Sequence, residues 1–216
     1  MSNREHWQQV FSHKQAQQMS WSQTNTDTAY LAFERLNLNK SAYIVEAGCG
    51  ISDWSKHALQ NGYQNLTLID ISKQALQCLE INHRQSGLFS HTCKYQELDL
   101  SAPESHWQST ALNTVDCWID RAVFHFMTEA GQRKNYINKV ATSLKKQGYW
   151  VLATFAENGP QQCSNLPVQR YSHQQLIEYL DASELGPFQC VEHWQQDHIT
   201  PWGGQQSFNW WIIQRR

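Results

Sequence analysis

The sequence predicts an α/β protein: a mostly parallel sheet of seven strands with helices on both faces and an antiparallel hairpin at its C-terminal end. Three observations predict it. Short apolar runs alternate with stretches of helical period. An early apolar run ends in a small-residue turn, Gly48-Cys49-Gly50. The last two apolar runs are joined only by a loop around Pro201-Trp202-Gly203-Gly204. Strands alternating with helices pair in parallel through right-handed crossovers, whereas two strands with no helix between them pair antiparallel.

The elements follow in order. "DTAYLAFERLNL" (27–38) places Tyr30, Leu31, Phe33, Leu36 and Leu38 near one helical face. "AYIVEA" (42–47) is the first strand, "SDWSKHALQNG" (52–62) a helix closed by Gly62, and "LTLID" (66–70) the second strand. "SKQALQCLEINHRQ" (72–85) is a helix with Ser72 as its N-cap. "KYQELDL" (94–100) and "VDCWID" (115–120) are strands, "EAGQRKNYINKVATSLKKQG" (129–148) a helix ended by Gly148, and "YWVLATFA" (149–156) the fifth strand. After the helix "SHQQLIEYLDAS" (172–183), "FQCVEHWQQ" (188–196) and "QQSFNWWIIQ" (205–214) form the hairpin. In a parallel sheet ligands sit beyond the carboxyl ends of the strands. The functional rim is therefore expected in loops 46–54, 70–72, 99–106, 120–128, 156–171 and 196–204.

Composition narrows the function. A chain of 216 residues is expected to form one domain, 1–216, with a sizeable single core. With 17 Lys and Arg against 19 Asp and Glu, it lacks the basic face that nucleic acids require. No apolar run is long enough to span a membrane, and the start "MSNREHWQQV" has no apolar signal-peptide core. The six cysteines include no C-x-x-C pair, so they are expected as reduced thiols in a cytoplasmic protein. No metal is expected, because none of the ten histidines pairs at i, i+4 on one helix or clusters with cysteine.

The glycine turn then poses the question of which nucleotide it cradles. A dinucleotide fingerprint needs a third glycine where this chain has Asp53. A carboxylate there competes with a pyrophosphate for the positive end of the helix. A cofactor without phosphates suffers no such repulsion, and S-adenosylmethionine is one. Asp70, twenty residues past Gly50 at the end of the second strand, can accept both ribose hydroxyls. Asp99 is placed for the adenine amino group, and Glu46 for the ammonium of the methionine part.

"VEAGCGIS", "LTLIDIS", "ELDLS" and "VDCWIDRAVFHFM" resemble, in order, the motifs of the class I S-adenosylmethionine-dependent methyltransferases. The resemblance covers about residues 20–216 and implies a Rossmann-like sheet. It sets Gly48, Cys49 and Gly50 beside the methionine part, Asp70 and Ile71 at the ribose, and Asp99 and Leu100 at the adenine. Ser52 stands where many members have a third glycine. The resemblance also divides the chain into an N-terminal segment and helix covering the cofactor site (1–40) and a sheet core (41–216). Trp21 and Gln23 are then expected to close the site. The cofactor is S-adenosyl-L-methionine and the product S-adenosyl-L-homocysteine.

Methyl transfer is an in-line displacement in which the protein mainly aligns the nucleophile and excludes water; a base helps where the nucleophile carries a proton. Family members place the residue at Asp120 against the methionine end, facing the acceptor. The Asp120-Arg121 pair is similar to two branches, small thiol-methylating enzymes and lysine-directed protein methyltransferases. Phe124 and Phe126 are candidates for an apolar wall, and His125, alternating with them, for a direct role. Arg170 and Tyr171, in the long loop "TFAENGPQQCSNLPVQRY", suit a substrate lid, with Arg170 able to fix an anionic group. Cys163 in the same loop is expected as an ordinary thiol. Trp202 is a further substrate candidate, and His198 is the first choice as base.

The leading expectation is methylation of a small-molecule acceptor, with a thiol or similar soft nucleophile favoured by the compact size and aromatic rim. A protein lysine acceptor comes second, and a non-catalytic cofactor-binding scaffold third. Nucleic acid ranks last, since Asp120-Arg121-Ala122-Val123 replaces an Asn-Pro-Pro-Tyr motif.

Overall fold

The computed structural model describes residues 3–13, 18–22, 28–103, 107, 112–182 and 187–216. Its helices are α1 (Asn3–His13), α2 (Thr28–Glu34), α3 (Trp54–Gln60), α4 (Lys73–Gln85), α5 (Ala130–Ser143) and α6 (His173–Ala182). The strands are β1 (Ile44–Ala47), β2 (Leu66–Asp70), β3 (Lys94–Glu97), β4 (Val115–Arg121), β5 (Leu144–Phe155), the short pair β6 (Gln162–Cys163) and β7 (Leu166–Pro167), β8 (Phe188–Ile199) and β9 (Gln205–Arg215). The main sheet runs β3-β2-β1-β4-β5-β9-β8. It is parallel from β3 to β5, and β9 lies antiparallel to both of its neighbours.

The two-residue period of the strands sorts their side chains into two cores. Ile44, Leu66, Leu68, Ile119 and Val151 face α2, α3 and α4 with Phe33, Trp54 and Leu79. Val45, Ile69, Trp118, Trp150 and Leu152 face α5 and α6 with Tyr136, Val140 and Leu176. Every residue of β1 and β2 is buried, as expected of central parallel strands covered on both sides. The strand order reverses between β1 and β4, and at that reversal a crevice opens beyond the carboxyl ends of the strands.

Several boundaries differ from expectation for local reasons. Helix α5 stops at Ser143 instead of reaching Gly148, because Leu144 turns extended (φ −62°, ψ 138°) and pairs with Val115 of β4. Gln147 (φ +67°) and Gly148 then bulge the strand; a Cβ at Gly148 would lie 2.9 Å from the Lys145 carbonyl oxygen and 3.1 Å from that of Val115. Gly148 therefore serves a strand bulge and not a helix end. The first expected helix ends early, with Asn37 left-handed at φ +45°. Strand β3 stops at Glu97, where Asp99 turns the chain by accepting from the Ser101 amide (2.8 Å) and hydroxyl (2.6 Å). Strand β8 continues to Ile199, so the hairpin loop shrinks to 200–204. The loop after β5 carries its own hairpin, β6–β7, turning at Ser164 and Asn165, both with positive φ. Ser72 caps α4 as expected, its hydroxyl accepting from the Ala75 amide at 3.2 Å.

Candidate active site

A cavity of about 140 Å³ occupies the crevice. Its floor is the turn after β1. Gly48 (φ +58°) and Gly50 (φ +52°) are both left-handed, a conformation only glycine adopts without strain. A Cβ on Gly48 would meet Val123 Cγ2 at 2.2 Å, and one on Gly50 would meet the Phe11 ring at 3.2 Å. Gly48 leaves room only for backbone, and Gly50 sits tight beneath the Phe11 ring.

Among the described residues, three carboxylates line the same cavity. Asp70, at the end of β2, accepts from the amides of Gly50 and Ser72, both at 2.8 Å. Burial pushes its pKa up to about 6, with these amides pulling the other way. Glu46 accepts at 2.5 Å from the hydroxyl of Ser52. The serine that replaces a third glycine thus orients the carboxylate beneath it. Asp99 is held by Ser101, whose carbonyl accepts from Asn135 at 2.9 Å, while Lys139 Nζ donates to Ala102 O at 2.5 Å. Helix α5 in this way fastens the loop after β3. Ile71, Leu98 and Leu100 complete an apolar slot beside Asp99.

The opposite wall is aromatic. Trp7 meets Trp21 (centroids 5.7 Å apart) and Phe126 (5.3 Å) edge to face, and Phe11 meets Trp21 at 6.4 Å. Helix α1 is tied down by an Arg4–Glu97 ion pair and by Gln8 Oε1, which accepts from the Gln74 amide at 3.3 Å. Segment 18–22 is fastened by two long-range hydrogen bonds. Arg121 Nη1 donates to Trp21 O at 2.9 Å, and His198 Nε2 to Ser20 O at 2.6 Å. Arg121 and Cys163 also line the cavity.

The structure therefore brings together Trp21, Glu46, Gly48, Cys49, Gly50, Asp70, Ile71, Asp99 and Leu100, all of which line one cavity. Apart from Phe126, it places the remaining candidates elsewhere. Asp120 is fully buried under the 3-10 turn Phe124–Phe126 and accepts from the Val123 amide (2.8 Å), the Phe124 amide (3.0 Å) and the Tyr136 hydroxyl. Burial raises its pKa to about 7 against these donors, and its work is to shape the turn that presses Val123 onto Gly48. His125 is also fully buried, with Nδ1 accepting from the Phe155 amide at 3.4 Å; desolvation drives its pKa down to about 3. His198 spends its Nε2 proton on segment 18–22 instead of facing the cavity, and burial lowers its pKa.

The acceptor-side candidates Phe124, Tyr171, Arg170 and Trp202 also lie off this cavity. Phe124 stacks on Tyr171 (5.4 Å, 21°) inside the α5 core. Arg170 donates from Nη1 to the carbonyls of Glu157 (2.6 Å) and Gly159 (3.2 Å), fastening its own loop. Trp202 is 63% exposed at the hairpin tip. Gln23 lies outside the described residues. Phe126 does stand in the wall as anticipated, while Trp7, Phe11 and Arg121 were not anticipated as lining residues. Trp7, Val10 and Phe11 form an i, i+3, i+4 apolar stripe, the one signal the sequence carried for α1.

Comparison with known proteins agrees with this fold. The family described as "Methyltransferase domain" matches residues 45–150. A structure concerning conversion of a disulfide bond into a thioacetal group during echinomycin biosynthesis is similar, with 15% identity, 99% of this chain and 92% of that one covered, and a TM-score of 0.75. A SAM-dependent methyltransferase from Anabaena variabilis aligns at 16% identity over 99% and 93% of the chains, TM-score 0.73. The 1,6-didemethyltoxoflavin-N1-methyltransferase of Burkholderia thailandensis, holding 1,6-didemethyltoxoflavin and S-adenosylhomocysteine, aligns at 15% over 95% and 80%, TM-score 0.63. At these identities the likeness is one of fold. No curated protein matches the sequence.

Proposed function

Because the chain carries a methyltransferase domain on the class I S-adenosylmethionine-dependent methyltransferase fold, we propose that it transfers a methyl group from S-adenosylmethionine to a small-molecule acceptor. The observation that carries this reading is the convergence of two left-handed glycines, three carboxylates and an aromatic wall on one cavity.

The residues suit the cofactor on several counts. The turn at Gly48 and Gly50 offers bare backbone to the methionine part, and Glu46 offers its carboxylate to the ammonium. Each Asp70 oxygen already accepts one amide and keeps a second lone-pair direction for a ribose hydroxyl. Leu98, Leu100 and Ile71 form a slot for a flat base, with Asp99 at its edge. The buried Trp54 Nε1, on a ring that lines the cavity, has no hydrogen-bond partner among the described residues, as a donor reserved for a ligand would. When bound, S-adenosylmethionine supplies an electrophilic methyl on a sulfonium. The chain's part is to hold the acceptor in line and exclude water, which the lid of α1 and residues 18–22 favours.

A small acceptor fits better than a protein lysine. The lid covers the site, and a guanidinium stands in the wall where an ammonium would have to approach. Calorimetric titration with S-adenosylmethionine and S-adenosylhomocysteine tests the reading. Micromolar binding of both is expected, and absence of binding would return the scaffold reading to the front.

A further inference from the structure

Building on the methyl-transfer reading above, we propose that the acceptor enters as an anion, a thiolate carried on an apolar body, and that Arg121 is the residue that selects it. The cavity has two chemically different sides. Its carboxylates, Glu46, Asp70 and Asp99, all come from β1, β2 and the chain after β3. On the β4 side the wall is Trp7, Trp21, Phe126, Cys163 and Arg121, and Arg121 is the only Lys, Arg or His among the described lining residues.

Its surroundings put Arg121 on the acceptor's side of β4. The guanidinium donates to Trp21 O and lies 5.8 Å from the Phe208 ring of β9. It bears electrostatically on His198 of β8 and on Cys163 of β6. Of these elements, β8 and β9 lie on the other side of β4 from β2 and β3, whose ends carry Asp70 and lead to Asp99. A cation in an otherwise apolar wall attracts an anion and raises its ionised fraction.

Among the described residues no base lines this side of the cavity. His198 donates to Ser20 O, His125 is sealed in the core, and Asp120 is turned inward by three donors. A neutral alcohol or an ammonium would keep its proton here. A thiol, with a pKa of about 8.5 for the cysteine type, is a few per cent thiolate near neutrality, and a neighbouring cation raises that share. Cys163 does not compete, since burial pushes its own thiol up to about 11. In the step itself the thiol proton has already gone to solvent. The sulfur lone pair forms the new sulfur–carbon bond as the methyl–sulfonium bond breaks. The electron pair of that bond neutralises the donor sulfur, leaving a thioether and S-adenosylhomocysteine.

The test uses the whole protein saturated with S-adenosylhomocysteine. Three ligands of one shape are titrated by fluorescence of the wall tryptophans: 4-nitrobenzenethiol, 4-nitrobenzoate and 4-nitrobenzyl alcohol. The thiolate is expected to bind at least about tenfold tighter than the alcohol. Arg121→Gln removes the charge and leaves a neutral polar side chain, and is expected to weaken thiolate binding about ten- to a hundredfold, the scale of one hydrogen bond to a charged group. Arg121→Lys restores most of it, and S-adenosylhomocysteine affinity stays within about twofold in both variants, below the scale of that bond. In turnover with two thiols of different acidity, the rising limb of kcat/KM against pH should follow each thiol's own pKa. A limb fixed at one pH for both thiols would reveal a protein base and overturn the proposal. Parallel loss of S-adenosylhomocysteine affinity in Arg121→Gln would reassign the guanidinium to the cofactor. Tightest binding of the benzoate, with a methyl ester as product, would replace thiolate by carboxylate. A protein that binds no S-adenosylhomocysteine fails the methyl-transfer reading itself, whereas one that binds it and shows any of these other results fails this inference alone.

Discussion

The two sides of the cavity are built by different means. The β1–β2–β3 side is made by short stretches of chain leaving adjacent strands, and its groups hold one another over small sequence separations: Ser52 to Glu46, Ser101 to Asp99, Gly50 to Asp70. The β4 side is assembled from residues 18–22, the turn after β4 and the β6 hairpin, under α1, which is itself anchored on β3 and α4; the ties of this side span the chain, Arg121 to Trp21 and His198 to Ser20. One side is local geometry, and the other is tertiary assembly. Substitutions should separate them: cofactor affinity should answer to the first, acceptor handling to the second.

The largest effect is expected at Gly48. Gly48→Ala forces a Cβ to 2.2 Å from Val123 Cγ2 at φ +58°, which should cost about 2–4 kcal/mol in overpacking and left-handed strain and abolish S-adenosylhomocysteine binding. Adding Val123→Ala should restore most of the stability in thermal melts while binding stays weak. Wild-type binding by the single variant would mean that this turn is no cradle. Next comes Asp70→Ala, expected to lower affinity about a hundredfold by removing the acceptor of two ribose hydroxyls, with native circular dichroism; unchanged calorimetric affinity would remove Asp70 from the site.

The wild-type protein offers a milder form of the same test. Asp70 titrates near 6 when folded, so its ionised form prevails at pH 7 and gives way as pH falls. S-adenosylhomocysteine affinity should therefore drop about tenfold per unit below pH 6. The sign for stability is opposite: a carboxyl raised in the folded state favours folding at low pH, and that contribution fades as pH rises through about 6.

On the other side, Trp7→Ala should raise the KM of a thiol acceptor about tenfold by removing a ring from the wall, with S-adenosylhomocysteine affinity nearly unchanged. Loss of both would fuse the two sides into one. The smallest effect is expected for His198→Ala, about fivefold in kcat/KM from a loosened lid, with the pH profile unmoved. A displaced limb in that profile would restore His198 as the base.

The same contrast explains what was legible in the sequence. Strand, glycine turn and helix are local patterns, so β1, the turn at Gly48, Asp70 and Asp99 could be placed from spacing alone. The seven strands and the antiparallel hairpin followed from the alternation of periods. Asp120, His125 and Phe124 sit in the right loop, but orientation decided their roles: Tyr136 of α5 and the amides after β4 draw the carboxylate away from the cavity, and no periodicity in a 3-10 turn announces that. Arg170 and Trp202 stand out in the sequence only by residue type, and their partners, the carbonyls of residues 157 and 159 in one case and solvent in the other, depend on loop geometry. Trp7 lies in a helix whose polar composition hides its one apolar stripe.

The bond from His198 to Ser20 joins residues 178 positions apart, and this has a consequence for the order in which a growing chain acquires its parts. A chain emerging from the ribosome presents the lid well before the strand that anchors it. Because a domain folds as a unit, the roof stays unpinned until β8 and β9 have been made, and the chamber closes only when that hairpin joins the sheet.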